Sequence, residues 1–126
     1  MSALYGEVIS EHFRRPRNQG SFERADAWHE ELNPLCGDRV RIELRLSEGR
    51  IAEARFRGDA CMVVVASASL LTERVRGLSM AEASRLSRDE VLSALQTELR
   101  PARVPCALLP LEALRGALAR APGGAA

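Results

Sequence analysis

The chain has 126 residues, 46% of them apolar and only five aromatic, with 18 cationic side chains against 17 anionic ones. This length fits a single domain spanning residues 1–126, and the near balance of charge removes the usual electrostatic basis for binding nucleic acid or an anionic membrane. All 18 cations are arginine, which excludes lysine Schiff-base chemistry, and three widely spaced cysteines do not make a secreted disulfide scaffold.

A reducing compartment fits better, so the chain is expected to be cytoplasmic, with its thiols free for metal or sulfur. The N-terminus carries Glu7 and Glu11 and no apolar core, unlike a signal peptide. The longest apolar run, Ala60 to Ala66, is far too short to span a bilayer.

Leu4, Tyr5, Val8, Ile9 and Phe13 recur at helical spacing and predict an amphipathic helix over residues 3–13, ended by Pro16. Arg14, Arg15 and Arg17 beside it suit either a docking patch or a solvated helix end. Residues 18–32 are polar and aperiodic and read as a loop. His29 within them is either a surface side chain or an extra metal ligand.

Val40, Ile42, Leu44 and Leu46 alternate with Arg39, Arg41, Glu43 and Arg45, the pattern of a half-buried strand. Ser47-Glu48-Gly49 turns the chain into a second strand in which Ala52, Ala54 and Phe56 face the core. Cys61 to Val65 is short and β-branched and reads as a third strand. Three strands with short connections make an antiparallel meander with one face to cover.

Helices supply the cover. Residues 66–76 are good helix formers stopped by Gly77. Ser79 with Glu82, and Ser87 with Glu90, each form a capping box opening a short helix. Residues 99–105, with Pro101 and Pro105, read as an extended linker. Ala107, Leu111, Leu114 and Leu118 mark a last helix, and the Pro122-Gly123-Gly124 tail is expected to fray. The fold class is therefore α+β: a three-stranded antiparallel sheet with an N-terminal helix and several C-terminal helices.

The chemistry concentrates in Asn33-Pro34-Leu35-Cys36-Gly37-Asp38, where a thiol and a carboxylate lie two residues apart on a turn at the mouth of a strand. Cys61 and Cys106 each fall at the edge of a predicted element. A meander brings strand ends to one rim, and a helix packed on it can bring its N-terminus there. Cys36, Asp38, Cys61 and Cys106 can then converge as three thiolates and one carboxylate, a set suited to Zn²⁺ or an iron–sulfur cluster. The carboxylate would be the weakest cluster ligand and would make a cluster labile. Cys106 at a helix N-terminus near Arg103 is expected to have its thiolate favoured. Against this, free cysteines also pack as small hydrophobes, and Asp38 and Asp59 also suit turns.

These residues resemble the IscU/SufU family of NifU N-terminal-like proteins over nearly the whole chain. Leu4-Tyr5, Val8-Ile9, His12 and Pro16-Arg17-Asn18 resemble its opening. Asn33 to Arg39 resembles its first cysteine motif. Gly58 to Cys61, with Ala66 to Ser69 and Leu71-Thr72, resembles the second. Pro101 to Ala107, with Ala113-Leu114, resembles the third.

The resemblance implies an α+β domain in which Cys36, Asp38, Cys61 and Cys106 hold Zn²⁺ or a transient [2Fe–2S] cluster. It implies a cysteine desulfurase as partner, delivering persulfide sulfur, and downstream acceptors of cluster or sulfur. Such a protein is a scaffold or sulfur acceptor rather than a conventional turnover enzyme. Cys36, on the more exposed turn, is the first expected acceptor and Cys106 the second. The alternative is a zinc-binding adaptor that docks on a desulfurase or another protein.

Two departures place the chain between branches. Pro105 stands where the scaffold branch has histidine. The sulfur-acceptor branch carries an insertion of about twenty residues before the third cysteine, whereas here 44 residues separate Cys61 from Cys106. Leu99 to Arg103 matches the scaffold branch's chaperone-recognition segment only in part, so a dedicated chaperone is not expected.

Overall fold

The computed structural model describes residues 6–122. In chain order it contains α1 (Gly6–Arg14), β1 (Ala27–Asn33), β2 (Asp38–Ser47), β3 (Arg50–Arg57), α2 (Met62–Val75), α3 (Met80–Ser84), α4 (Arg88–Ala94), a 3₁₀ turn (Pro101–Arg103) and α5 (Val104–Arg120). Leu4 and Tyr5, and the tail beyond Pro122, lie outside the described residues. No helix among the described residues is long and apolar enough to cross a membrane.

The sheet is antiparallel in the order β1-β2-β3, as a meander requires. Val40, Ile42 and Leu44 of β2 alternate inward and are almost fully buried, beside Ala54 and Phe56 of β3. A register shift between Arg45 and Leu46 reverses the expected facing at the start of β3. Ile51 is buried there and Ala52 is exposed. Glu48 and Gly49, both at positive φ, form the two-residue hairpin turn.

Two strands differ from the sequence expectation. Residues 27–32, read as loop, and Asn33, read as turn, pair with β2 from Ala27↔Leu44 to Asn33↔Asp38. Their alternation is concealed because the inward positions include His29 and Glu31. The polar inward face is tolerated because α5 covers it closely: the His29 ring lies where a Cβ on Gly116 would stand, 2.0 Å from its Cδ2. Residues 62–65, read as a strand, are the first turn of α2, and Cys61 is its N-cap. A short β-branched run is ambiguous between a buried strand and a buried helix. Here it continues into Ala66-Ser67-Ala68-Ser69, whose small side chains let α2 pack against α1, β3 and α5 at once.

The linker reading of residues 99–105 also gives way. Pro101 opens a 3₁₀ turn and Pro105 sits in the first turn of α5, where its missing N–H costs nothing. Both capping boxes form as expected, Ser79 with Glu82 and Ser87 with Glu90.

The segment after α1 is tied to α2. The buried Ser69 hydroxyl accepts from the Arg17 amide at 2.8 Å and pairs with His12 Nδ1 at 2.7 Å. Asn18 Nδ2 donates to Glu73 at 2.9 Å. Arg14, Arg15 and Arg17 all converge on Glu11, at 3.6, 4.0 and 3.2 Å. Burial, with the Arg17 guanidinium, holds His12 below its ordinary value of 6.5, against the opposing pull of Glu11 and Glu73. The unfolded chain therefore takes up the proton first. Stability contributed by neutral His12 is whole above pH 6.5 and falls as pH drops through the folded value. The melting temperature should fall between pH 7 and pH 5, and the fall should be shallower in His12→Gln; equal slopes would remove His12 as the cause.

Candidate metal and sulfur centre

The site is built where the β1–β2 turn meets the N-termini of α2 and α5. Asn33 shapes the turn: its side-chain oxygen accepts from Leu35 N at 3.1 Å and its carbonyl from Gly37 N at 2.8 Å. Gly37, at φ +75°, completes the bend. The turn holds Leu35 out in solvent, 94% exposed, and leaves Cys36 exposed beside it.

Asp38 is buried, 7% exposed, and joins two of these elements. One carboxylate oxygen accepts from the Cys61 backbone N–H at 3.0 Å, and the other accepts from the Cys36 thiol at 3.1 Å. The β3–α2 connection is pressed against the same strand. Arg39 N donates to Asp59 O at 2.9 Å. Gly58 lies so close that a Cβ there would meet the Arg39 carbonyl oxygen at 2.0 Å. Asp59 thus serves the site through its backbone.

The third element is α5. Cys106 is its third residue and is 2% exposed. Its sulfur lies 3.8 Å from that of Cys36. Pro110 stands inside this helix and does not start it. Its missing N–H leaves the Cys106 carbonyl without the usual intrahelical donor. One residue on, the Ala107 carbonyl accepts from the buried Ser67 hydroxyl of α2 at 2.6 Å. The helix start is thereby fastened to α2 beside the thiol.

The sequence-predicted residues are accordingly brought together, but not equally. Donor atoms of Cys36, Asp38 and Cys106 all lie within 4.8 Å of one another. Cys61 is not in that trio; its amide bonds Asp38 at 3.0 Å and its thiol also turns to that carboxylate. As N-cap it makes no side-chain capping bond. His29 is elsewhere, paired with Glu31 at 2.6 Å. Ser67 and Gly58 carry no signal in the sequence that ties them to the site, because their partners are distant in the chain.

Burial pushes Asp38 upward, but hydrogen bonds from the Cys36 thiol, the Cys61 amide and thiol and the Cys106 thiol together hold it below the usual carboxylate range. Cys106 moves the other way. Burial, then the Cys36 hydrogen bond and the neighbouring sulfurs of Cys61 and Cys36, push it up to about 12, against a smaller opposing pull from Arg103. The expectation of a helix-favoured thiolate at Cys106 is overturned for the metal-free chain, because desolvation exceeds the pull of one guanidinium.

A soft divalent cation fits this donor set. Two thiolates on one tetrahedral zinc, each at about 2.3 Å, stand about 3.8 Å apart, which is the Cys36–Cys106 separation. The cation's charge would also reverse the crowding that keeps Cys106 protonated.

A small antiparallel sheet whose rim gathers two thiols and a buried carboxylate within 4.8 Å, with a third thiol at the adjoining helix start, could hold a metal there. The chain belongs to the NifU-like N terminal domain family, whose model matches residues 4–123. It is 34% identical to the iron-sulfur cluster assembly scaffold protein IscU of Escherichia coli K12 over 122 residues, covering 91% of each chain. It is 32% identical to the zinc-dependent sulfurtransferase SufU of Bacillus subtilis, covering 98% of this chain and 95% of that one. The SufU alignment runs over 142 positions against 126 residues here, so part of SufU has no counterpart in this chain. The fold matches the N-terminal NifU-like protein from Brucella abortus with a TM-score of 0.77 at 20% identity, over 92% of each chain.

Exposure and protonation together set the order of thiol reactivity. In the metal-free protein at pH 8, iodoacetamide should modify Cys36 at least about 100-fold faster than Cys106, read by peptide mapping over time. Comparable rates would mean that the α5 N-terminus is open.

Proposed function

We propose that this chain is an iron–sulfur cluster assembly protein that accepts persulfide sulfur from a cysteine desulfurase and assembles or passes it on at the Cys36, Asp38, Cys61 and Cys106 rim. The observation that carries the reading is the pairing of one exposed thiol, Cys36, with one buried thiol, Cys106, across a buried carboxylate. An exposed thiol can meet a partner's persulfide. A buried thiol and carboxylate can retain what is delivered. IscU and SufU relatives, named for cluster scaffolding and zinc-dependent sulfur transfer, support the same class of function.

Cys36, Cys106 and Asp38 would hold the Zn²⁺ or the nascent [2Fe–2S] cluster, with Cys61 turning in as the fourth donor. The bound cation would supply charge that keeps the thiols deprotonated. Asp38 would be the exchangeable ligand, because oxygen is the weaker partner for soft metals. Pro105, in the position of the scaffold branch's histidine, offers neither a ligand nor a proton.

Cys36 is the proposed acceptor. After turnover with a cysteine desulfurase and cysteine, persulfide trapping followed by peptide mapping should place the added sulfur on Cys36. The Cys36→Ser variant should lose the label by at least about tenfold. Labelling that survives in Cys36→Ser would move the acceptor role to Cys106 or Cys61.

A further inference from the structure

We propose that Cys106 is the resolving thiol for sulfur loaded on Cys36: it displaces the terminal sulfur as sulfide and leaves a Cys36–Cys106 disulfide. The proposal rests on the reading of Cys36 as sulfur acceptor. It names where the electrons come from that turn persulfide sulfur into sulfide.

Three features of the site carry it. The two sulfurs stand 3.8 Å apart, close to van der Waals contact, so Cys106 already faces the inner sulfur of any persulfide formed on Cys36. Cys36 is exposed while Cys106 is buried, so sulfur arriving from solvent adds to the open side of Cys36, away from Cys106. That arrangement places the attacking thiol, the inner sulfur and the leaving sulfur in the order a displacement at sulfur requires. Finally, both elements are held from behind. The Cys36 turn is tied through Asp38 to the Cys61 amide, and the α5 start is tied through the Ala107 carbonyl to Ser67.

The balance is complete without another reactant. The Cys106 sulfur forms a bond to the Cys36 sulfur, and the bond between the Cys36 sulfur and the terminal sulfur breaks. The terminal sulfur leaves with that electron pair as hydrosulfide on the solvent side, and Cys106, kept protonated by burial, gives its proton to solvent as it attacks. Two thiol sulfurs are oxidised and one sulfane sulfur is reduced to sulfide. The disulfide must then be opened before the two thiols can hold metal again. The step therefore belongs upstream of a reaction in which an external dithiol reduces this protein.

Cys36 and Cys106 are the pair whose sulfurs stand 3.8 Å apart, and Cys61, whose thiol turns to Asp38, is expected to stay a free thiol through the step.

The test uses full-length, metal-free protein under argon. It is loaded briefly with inorganic polysulfide, desalted, and left without any reductant. Sulfide is then followed over time, and peptides are mapped after alkylation. The expected result is about one sulfide released per loaded chain, in step with loss of the Cys36 persulfide and the Cys106 thiol, with Cys36 and Cys106 joined and Cys61 alkylated. Cys106→Ser, checked for folding by circular dichroism, should retain its persulfide at least about tenfold longer.

Persulfide appearing on Cys106 without sulfide release would overturn the proposal, as would a disulfide to Cys61 or equally fast release from Cys106→Ser. The peptide map of the unsubstituted protein decides the matter even if the variant does not fold. Loading from a cysteine desulfurase in parallel separates the two ideas. Failure of the enzyme to load Cys36, with normal release after polysulfide, would reject the acceptor reading and keep the resolving step.

Discussion

A buried carboxylate holds the functional end of this domain together. Asp38 begins β2, yet its two oxygens serve other elements, one the amide that opens α2 and the other the thiol of the preceding turn. Burying a carboxylate is costly unless its oxygens are bonded. These bonds outweigh the burial and keep it ionised more readily than an ordinary aspartate. The same group therefore fixes the geometry of the rim and supplies a negative charge there. Metal would find a carboxylate already in place and, at Cys106, a thiol that must still lose its proton.

Around that carboxylate the fold brings three distant stretches to within bonding distance. α2 is the common support. Its small residues let α1, β3 and α5 approach it together. Its hydroxyls then fasten what they touch: Ser69 takes the segment after α1, and Ser67 takes the start of α5. Pro110 belongs to the same arrangement. It removes the intrahelical donor of the Cys106 carbonyl, and one residue on the Ala107 carbonyl accepts from Ser67 of α2. The β1–β2 turn, by contrast, leaves Leu35 and Cys36 exposed. A rigid, buried half and an open half suit a site that must retain sulfur or metal and also meet a donor.

Much of this is legible in the sequence, and the misses have physical causes. Alternation in Val40, Ile42 and Leu44 reports a strand because its two faces differ in polarity. The capping boxes at Ser79 and Ser87 are local and form as read. β1 escapes because His29 and Glu31 point inward, acceptable only where Gly116, far along the chain, leaves room for the ring. The start of α2 escapes because β-branched residues buried on every side lose their periodic signature. The expected strand count survives only because the two errors offset each other. The convergence of Cys36, Asp38 and Cys106 follows from motif positions, but its balance does not. Cys61 contributes first through its amide, and Cys106 is pushed up by burial rather than down by the helix and Arg103. Both depend on desolvation and on contacts that sequence spacing does not encode.

The most direct test of the account is metal and acid-labile sulfide content of anaerobically purified protein, before and after incubation with a cysteine desulfurase, cysteine and ferrous iron. The account predicts that zinc is displaced and that iron and sulfide appear in equal amounts, with Cys36 and Cys106 protected from alkylation. Protein that takes up neither metal nor sulfide, with all three thiols still open to alkylation, would contradict it.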